Sequence, residues 1–216
     1  MGTNQTYKNR ALKSLEGKWV EGIIATIFYL LISGVGGSVV SLPFGQDAIT
    51  LRMGSQGIWT LLCLPLSWGF VVYFLRLIRN QDISYGRLFD GYKDFGRIFL
   101  AGLLVLLCEA IGFALLIVPG IILSLMFSQT CFILKDDPQV SATDAMKRSM
   151  EMMNGHKMEL FVIWLSFFGW GILAMLTCGF GFLFLLPYLY ATLAHYYEDL
   201  KAEKEGFENL VSEALS

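Results

Sequence analysis

Long uncharged apolar segments alternate with short charged ones along this chain. Residues 22–42 lie between Glu21 and Pro43, and residues 53–75 end at Arg76. Each is long enough for one membrane crossing, because runs of about 18 or more apolar residues read as spanning helices, in which every backbone polar group is satisfied inside the segment. From 98 to 134 the only formal charge is Glu109, and from 160 to 197 there is none. Both stretches are about twice the ~20 residues one crossing needs, so each reads as a helical hairpin. Val118, Pro119 and Gly120 mark the first turn, and the run Thr177 to Gly181 marks the second. The pattern predicts an all-α polytopic membrane protein. Its six transmembrane helices form three hairpins, with spans at about 20–42, 57–77, 98–117, 120–135, 159–177 and 181–199, in one domain over 1–200.

Shorter amphipathic stretches precede the odd spans. Apolar residues recur at helical spacing at Tyr7, Ala11, Leu12 and Leu15, at Tyr85, Leu88, Phe89 and Tyr92, and at Ala142, Ala145, Met146, Ser149 and Met153. Ser141 followed by Asp144 opens the third stretch as a capping box. These are expected to be interfacial helices lying flat on the cytoplasmic leaflet. Each ends in a joint, at Gly17-Lys18-Trp19, Gly96-Arg97-Ile98 and Gly155-His156-Lys157, and each even span carries a proline toward its outer end, at Pro65, Pro119 and Pro187. The same unit therefore occurs three times, at uneven spacing.

Charge gives the pattern an orientation. Fifteen of the sixteen Lys and Arg residues fall on one side of the six spans, with Arg52 the exception. The positive-inside rule assigns that side to the cytoplasm, with both termini inside. Lys13, Lys18, Arg87, Arg97, Lys147, Arg148 and Lys157 are the expected contacts to anionic headgroups. Composition agrees, at 55% hydrophobic and 16% charged. The residues from 201 to 216 form an acidic cytoplasmic tail. Its Phe207, Leu210, Val211, Ala214 and Leu215 fall at helical spacing, so it is a possible docking site for a protein partner.

Several runs carry a family resemblance. The segment Leu88-Phe89-Asp90-Gly91-Tyr92-Lys93-Asp94-Phe95-Gly96-Arg97, the turn Ile117-Val118-Pro119-Gly120-Ile121, the stretch from Leu134 to Pro138 followed by Ser141-Ala142, and the joint Met153-Asn154-Gly155-His156-Lys157-Met158-Glu159-Leu160-Phe161 resemble the bacterial integral membrane proteins catalogued as domain of unknown function 975. The resemblance extends from about Ala11 to Lys201. It implies a six-span protein of the bacterial cell (inner) membrane, without an established activity.

Candidate chemistry is sparse. Glu109 is the one acid deep in a span, where an ionised carboxylate costs about 3 kcal/mol or more unless paired or protonated. Measured from Pro119, Glu109 lies ten residues before the turn and Gln129 ten after, which puts them at one depth, ~15 Å into the membrane. The pair reads either as a helix clamp or as a mid-membrane proton or cation site, with Gly102 and Gly112 on the face that packs against neighbours. His195, with Thr192, Tyr196 and Tyr197 near it, is a weaker candidate, more simply an anchor than a proton relay. Cys63, Cys108, Cys131 and Cys178 show no paired spacing, so neither a disulfide frame nor a metal site is expected. Asp136 and Asp137, followed by Pro138, read as a turn. Basic residues interleaved with aromatics from Arg87 to Arg97 point to lipid headgroups and not to nucleic acid. No catalytic motif, cofactor motif or metal motif is present, so an enzyme is not expected. The leading expectation is a non-enzymatic scaffold or accessory protein acting at the cytoplasmic leaflet on lipids or a partner complex. The alternative is a small transporter or permeation protein using Glu109 and Gln129.

Overall fold

The computed structural model describes residues 2–41 and 49–215 of the chain, and all regular structure among them is helical. Four helices are long and apolar enough to cross a membrane: Trp19–Val40, Phe95–Leu115, Ile117–Asp136 and Lys157–Leu176. A fifth crossing is available if the pair α4 (Ile49–Leu62) and α5 (Leu64–Ile78), bent by 42° at Cys63, counts as one span. The last helix, α11 (Phe182–Leu215), is long enough but not among the apolar ones, because Tyr188, Tyr190, His195, Tyr196 and Tyr197 dilute its apolar stretch. Of these, Tyr196 and Tyr197 are fully buried and the other three half-buried. Leu42, the end of the first expected span, and Pro43 lie outside the described residues.

The break at Cys63 has a local cause. Pro65 cannot donate a helical hydrogen bond and crowds the preceding turn, so the helix stops and restarts with Pro65 as the second residue of α5. Leu62, one of the carbonyls released, instead accepts from the Tyr92 hydroxyl at 2.8 Å. Tyr92 ends a 3-10 helix, Tyr85–Tyr92, that lies along α5 at backbone contact. A Cβ on Gly69 would stand 2.0 Å from the Leu88 carbonyl oxygen, and one on Gly91 2.2 Å from that of Pro65. The second amphipathic stretch is thus a 3-10 segment stacked on a core helix, and not the α-helix expected there.

The other two stretches are also packed on protein. In α1 (Asn4–Leu15), Tyr7, Ala11 and Leu15 are buried while Leu12 is exposed. In α9 (Ala142–Met152), the expected face of Ala142, Ala145, Met146, Ser149 and Met153 is buried. Ser141 caps α9 as expected, its Oγ accepting from the Asp144 N–H at 3.1 Å and donating to the Asp144 carboxylate at 2.6 Å. Gly17 (φ +74°) and Gly155 (φ +89°) make left-handed joints that only glycine adopts without strain. Gly96 does not, since α6 (Phe95–Leu115) has already begun before it. Two of the three expected units share the joint.

The hairpin of α6 with α7 (Ile117–Phe127) turns at Leu116. Leu116 is extended (φ −164°, ψ 156°), and Pro119 is the third residue of α7, a first-turn position proline tolerates. The turn thus precedes the one expected at Pro119, and equal depth no longer pairs Glu109 with Gln129. Close packing of this hairpin rests on glycine, as anticipated for Gly112: a Cβ there would come within 3.0 Å of the Gly120 Cα. Gly102 packs on Leu64. Between α7 and α8 (Thr130–Asp136), Ser128 and Gln129 interrupt the helix. Helix α10 (Lys157–Leu176) then runs beside α7 and α11.

Candidate functional site

A cleft of about 560 Å3 opens between α6, α7, α8, α10 and α11. Its floor is buried, with Gln129 only 1% exposed and Phe132 and Leu125 covered. Its rim consists of apolar side chains open to the surroundings of the bundle, among them Phe113, Trp164, Leu165 and Phe168, the last 67% exposed. Four of these five helices, all but α11, belong to the segments apolar enough to cross a membrane. Polar groups interrupt the lining at Glu109, Ser124, Ser128 and Gln129.

Glu109 does not meet Gln129. With the turn at Leu116, Ser124 lies eight residues after it and Glu109 seven before, so these two come to one level, and the Ser124 side chain acts on the Glu109 carboxyl group. A second cavity of about 200 Å3, between α5, α6 and α8, reaches Glu109 from its other side. Gln129 is held by α9 and the residue that follows it. Its N–H donates to the Ser149 hydroxyl at 3.2 Å, and its Nε2 to the Ser128 hydroxyl at 2.9 Å and to the Met153 sulfur at 3.7 Å. Its carbonyl Oε1 is buried without a donor. A buried acceptor left unpaired costs about 1–3 kcal/mol, so this atom is poised to gain from a donor that arrives with a ligand.

His195 Nε2 stands 2.8 Å from the Ser14 hydroxyl, which ties α1 to α11. His156 begins α10 and sits between Glu159 (3.6 Å) and Glu203 (3.5 Å). Among the described residues no group of His, Cys, Asp and Glu could hold a metal ion.

The basic residues expected at headgroups are largely engaged by the protein itself. Arg97 donates to the carbonyls of Leu134, Asp137 and Val140 at 3.0–3.3 Å and pairs with Asp94 at 2.6 Å, closing the open carbonyl end of α8. Lys18 does the same for α5, reaching the Leu77 carbonyl and the Asn80 side chain. Arg87 pairs with Asp82 and Asp90, Arg148 with Asp137, and Lys147 with Asp144 at 3.9 Å. Lys13 is exposed and Lys157 half-buried.

Two arrangements went unread in the sequence. Asp136 is a hub: Arg79 grips both its oxygens at 2.6 and 2.8 Å, and Tyr197 and Lys201 add bonds of 3.1 and 2.7 Å. Arg79 also bonds Glu198 at 2.6 Å, so α5, α8 and α11 are joined at one point. Lys8 is the other. Its buried ammonium contacts the Ser166 hydroxyl and lies 4.7 Å from the centre of the Phe167 ring, without a carboxylate partner among the described residues. Burial pushes this amine below its ordinary value. Only the alternation of acids with bases in the loops hinted at the first, and nothing in the local sequence of Lys8 marked the second.

An all-α chain with four or five helices long and apolar enough to cross a membrane has the architecture of an integral membrane protein. Residues 109–204 match the family model described as Protein of unknown function (DUF975), the family to which the turn and joint motifs pointed. The match is shorter than the resemblance from Ala11 to Lys201, and the motif from Leu88 to Arg97 lies outside it. Every residue lining the cleft except Val71 falls inside it. No curated protein matches, and no solved structure does.

Proposed function

We propose that this chain is a multi-pass protein of the bacterial cell membrane, without enzymatic activity, that takes an amphiphilic molecule from the bilayer into the cleft around Glu109 and Gln129. Six crossings as three hairpins, with both termini in the cytoplasm, fit this reading. Helix α11 then makes the sixth crossing as an inner helix whose tyrosines are shielded by its neighbours. The observation that carries the proposal is the cleft itself, whose volume lies within the range of about 300–1,000 Å3 usual for small-molecule sites. Its apolar rim suits a hydrocarbon body, and its polar floor suits one small polar end.

Purification into a neutral detergent followed by native mass spectrometry tests this. The unaltered protein should release a bound amphiphile, and Leu125→Trp, which fills the floor of the cleft, should release less of it. Equal release from both, or none from either, would refute the reading.

The scaffold reading draws support from a separate place. Near the end of α11, Phe207 and Leu210 are each 67% exposed beside Glu203 and Glu205, an apolar strip with acidic flanks that suits a protein partner. The side chains of Val211, Ala214 and Leu215, expected on the same strip, lie outside the described residues. Headgroup recruitment gains less support, because the internal pairing of Arg87, Arg97, Arg148 and Lys18 leaves fewer cations free for lipid.

A further inference from the structure

We propose that the amphiphile taken up by the cleft is a lipophilic cation, an inference that rests on the reading of the cleft as an amphiphile site. Three features of the lining point the same way. First, Glu109 is its single formally charged residue, and neither Lys, Arg nor His lines it among the described residues. A phosphate or carboxylate headgroup would therefore find no counter-charge and would face a carboxylate.

Second, at the polar floor of the cleft the capacity left is for accepting hydrogen bonds. The Gln129 amide donates to Ser128 and Met153 while its Oε1 has no donor, and the Ser128 hydroxyl donates to the Leu125 carbonyl at 2.8 Å. At Gln129 and Ser128 the donors are spent and an acceptor remains. Third, the walls are rich in aromatic rings, including Phe132, Phe161, Trp164 and Phe168. Ring faces attract cations by their quadrupole, most strongly where water is excluded. A carboxylate in low dielectric supplies the ion pair, and the rings hold the surrounding apolar groups. The ligand class is thus an ammonium, phosphonium or similar delocalised cation carrying apolar substituents.

Tetraphenylphosphonium and tetraphenylborate test this, since they are nearly the same shape and of opposite charge. Binding to the purified full-length protein in dodecylmaltoside is measured by equilibrium dialysis. The cation should bind at least about tenfold more tightly than the anion, the factor expected of a desolvated cation–ring contact or ion pair. Glu109→Gln should remove most of that preference, whereas Glu109→Asp should keep part of it.

Equal or tighter binding of the anion by the unaltered protein overturns the inference without recourse to any variant. So does an unchanged preference in a folded Glu109→Gln protein. A diacylglycerol is included as a neutral amphiphile. If it binds while the two ions show no difference, only the cation inference falls. If neither the diacylglycerol nor either ion binds, the amphiphile reading falls with it.

Discussion

Asp136→Ala should cost this protein about 3 kcal/mol, and the geometry says why the loss is large for one surface-proximal residue. The carboxylate is 15% exposed and its main partner Arg79 22%, so the pair is mostly withdrawn from water. Deleting one member of such a pair costs about 3–5 kcal/mol, because the survivor stays buried without its counter-charge. Arg79 keeps Glu198 at 2.6 Å, which places the loss at the low end. The bond to Lys201, whose side chain is 34% exposed, adds only about 0–1 kcal/mol. Unfolding by titration with sodium dodecyl sulfate from mixed micelles, followed by helical circular dichroism, measures this, and a double-mutant cycle with Arg79→Met isolates the pair. The coupling should exceed about 1.5 kcal/mol, as for charge-assisted hydrogen bonds. A total loss below about 1 kcal/mol, in the range of exposed ion pairs, or strict additivity in the cycle, would refute the claim that Asp136 bolts three helices together.

Other elements give sharper contrasts. Gly91→Ala drives a methyl group into the Pro65 carbonyl and should cost about 1–3 kcal/mol as overpacking, whereas Gly86→Ala, which meets open space, should be nearly silent in the same titration. Lys8→Met removes a buried ammonium that meets no carboxylate among the described residues, so stability should hold or rise. Because burial lowers the Lys8 pKa, the unfolded chain binds more protons between the folded value and the ordinary 10.5, so wild-type stability climbs with pH across that window. The Met variant should lack this climb, and an unchanged slope would show that Lys8 is solvated. For topology, the exposed Cys178 at the α10–α11 turn should react with a membrane-impermeant maleimide added outside intact spheroplasts, and a cysteine in place of Glu205 should react only in inside-out vesicles. The reverse pattern would invert the assigned orientation.

Periodicity made most of the helices legible, and what it missed was set by contacts remote in sequence. The buried face of α9 was readable residue by residue, since a 3.6-residue repeat of apolar positions ends at a cap that Ser141 announces. The hairpin turn was not, because Leu116 is apolar like its neighbours and nothing but its extended backbone distinguishes it. Proline there misled: it breaks a helix ahead of it but is equally at home in a first turn, as Pro119 is in α7. That displacement replaced Gln129 with Ser124 as the partner of Glu109. Counting Lys and Arg also hid their fate, since Arg79 finds Asp136 and Glu198 at separations of 57 and 119 residues.

Those cations serve twice, and the second use locates the part of the protein that can move. During insertion the bias of Lys and Arg sets orientation with little influence from Asp and Glu. In the folded chain the same residues meet acids or close helix ends, so the charged end of the bundle is cross-linked through Asp136, Asp90 and the Arg97 cap. At Asp90, burial pushes the carboxyl up, but the bonds from Lys93 and Arg76 outweigh it and hold the group below its ordinary value. That contribution is complete above the ordinary value of 3.8 and is lost as pH falls through the folded value. Helix α10 stands apart from this lattice. Four of its twenty residues are buried, against ten of fifteen in α5, and it forms the outer wall of the cleft. A wall so lightly packed opens at lower cost than the bolted helices, so amide hydrogen exchange in α10 should outpace that in α5, and a ligand in the cleft should slow it. Equal protection of the two helices would mean that the cleft is a rigid fissure, closed to anything that must part α10 from α7 to enter.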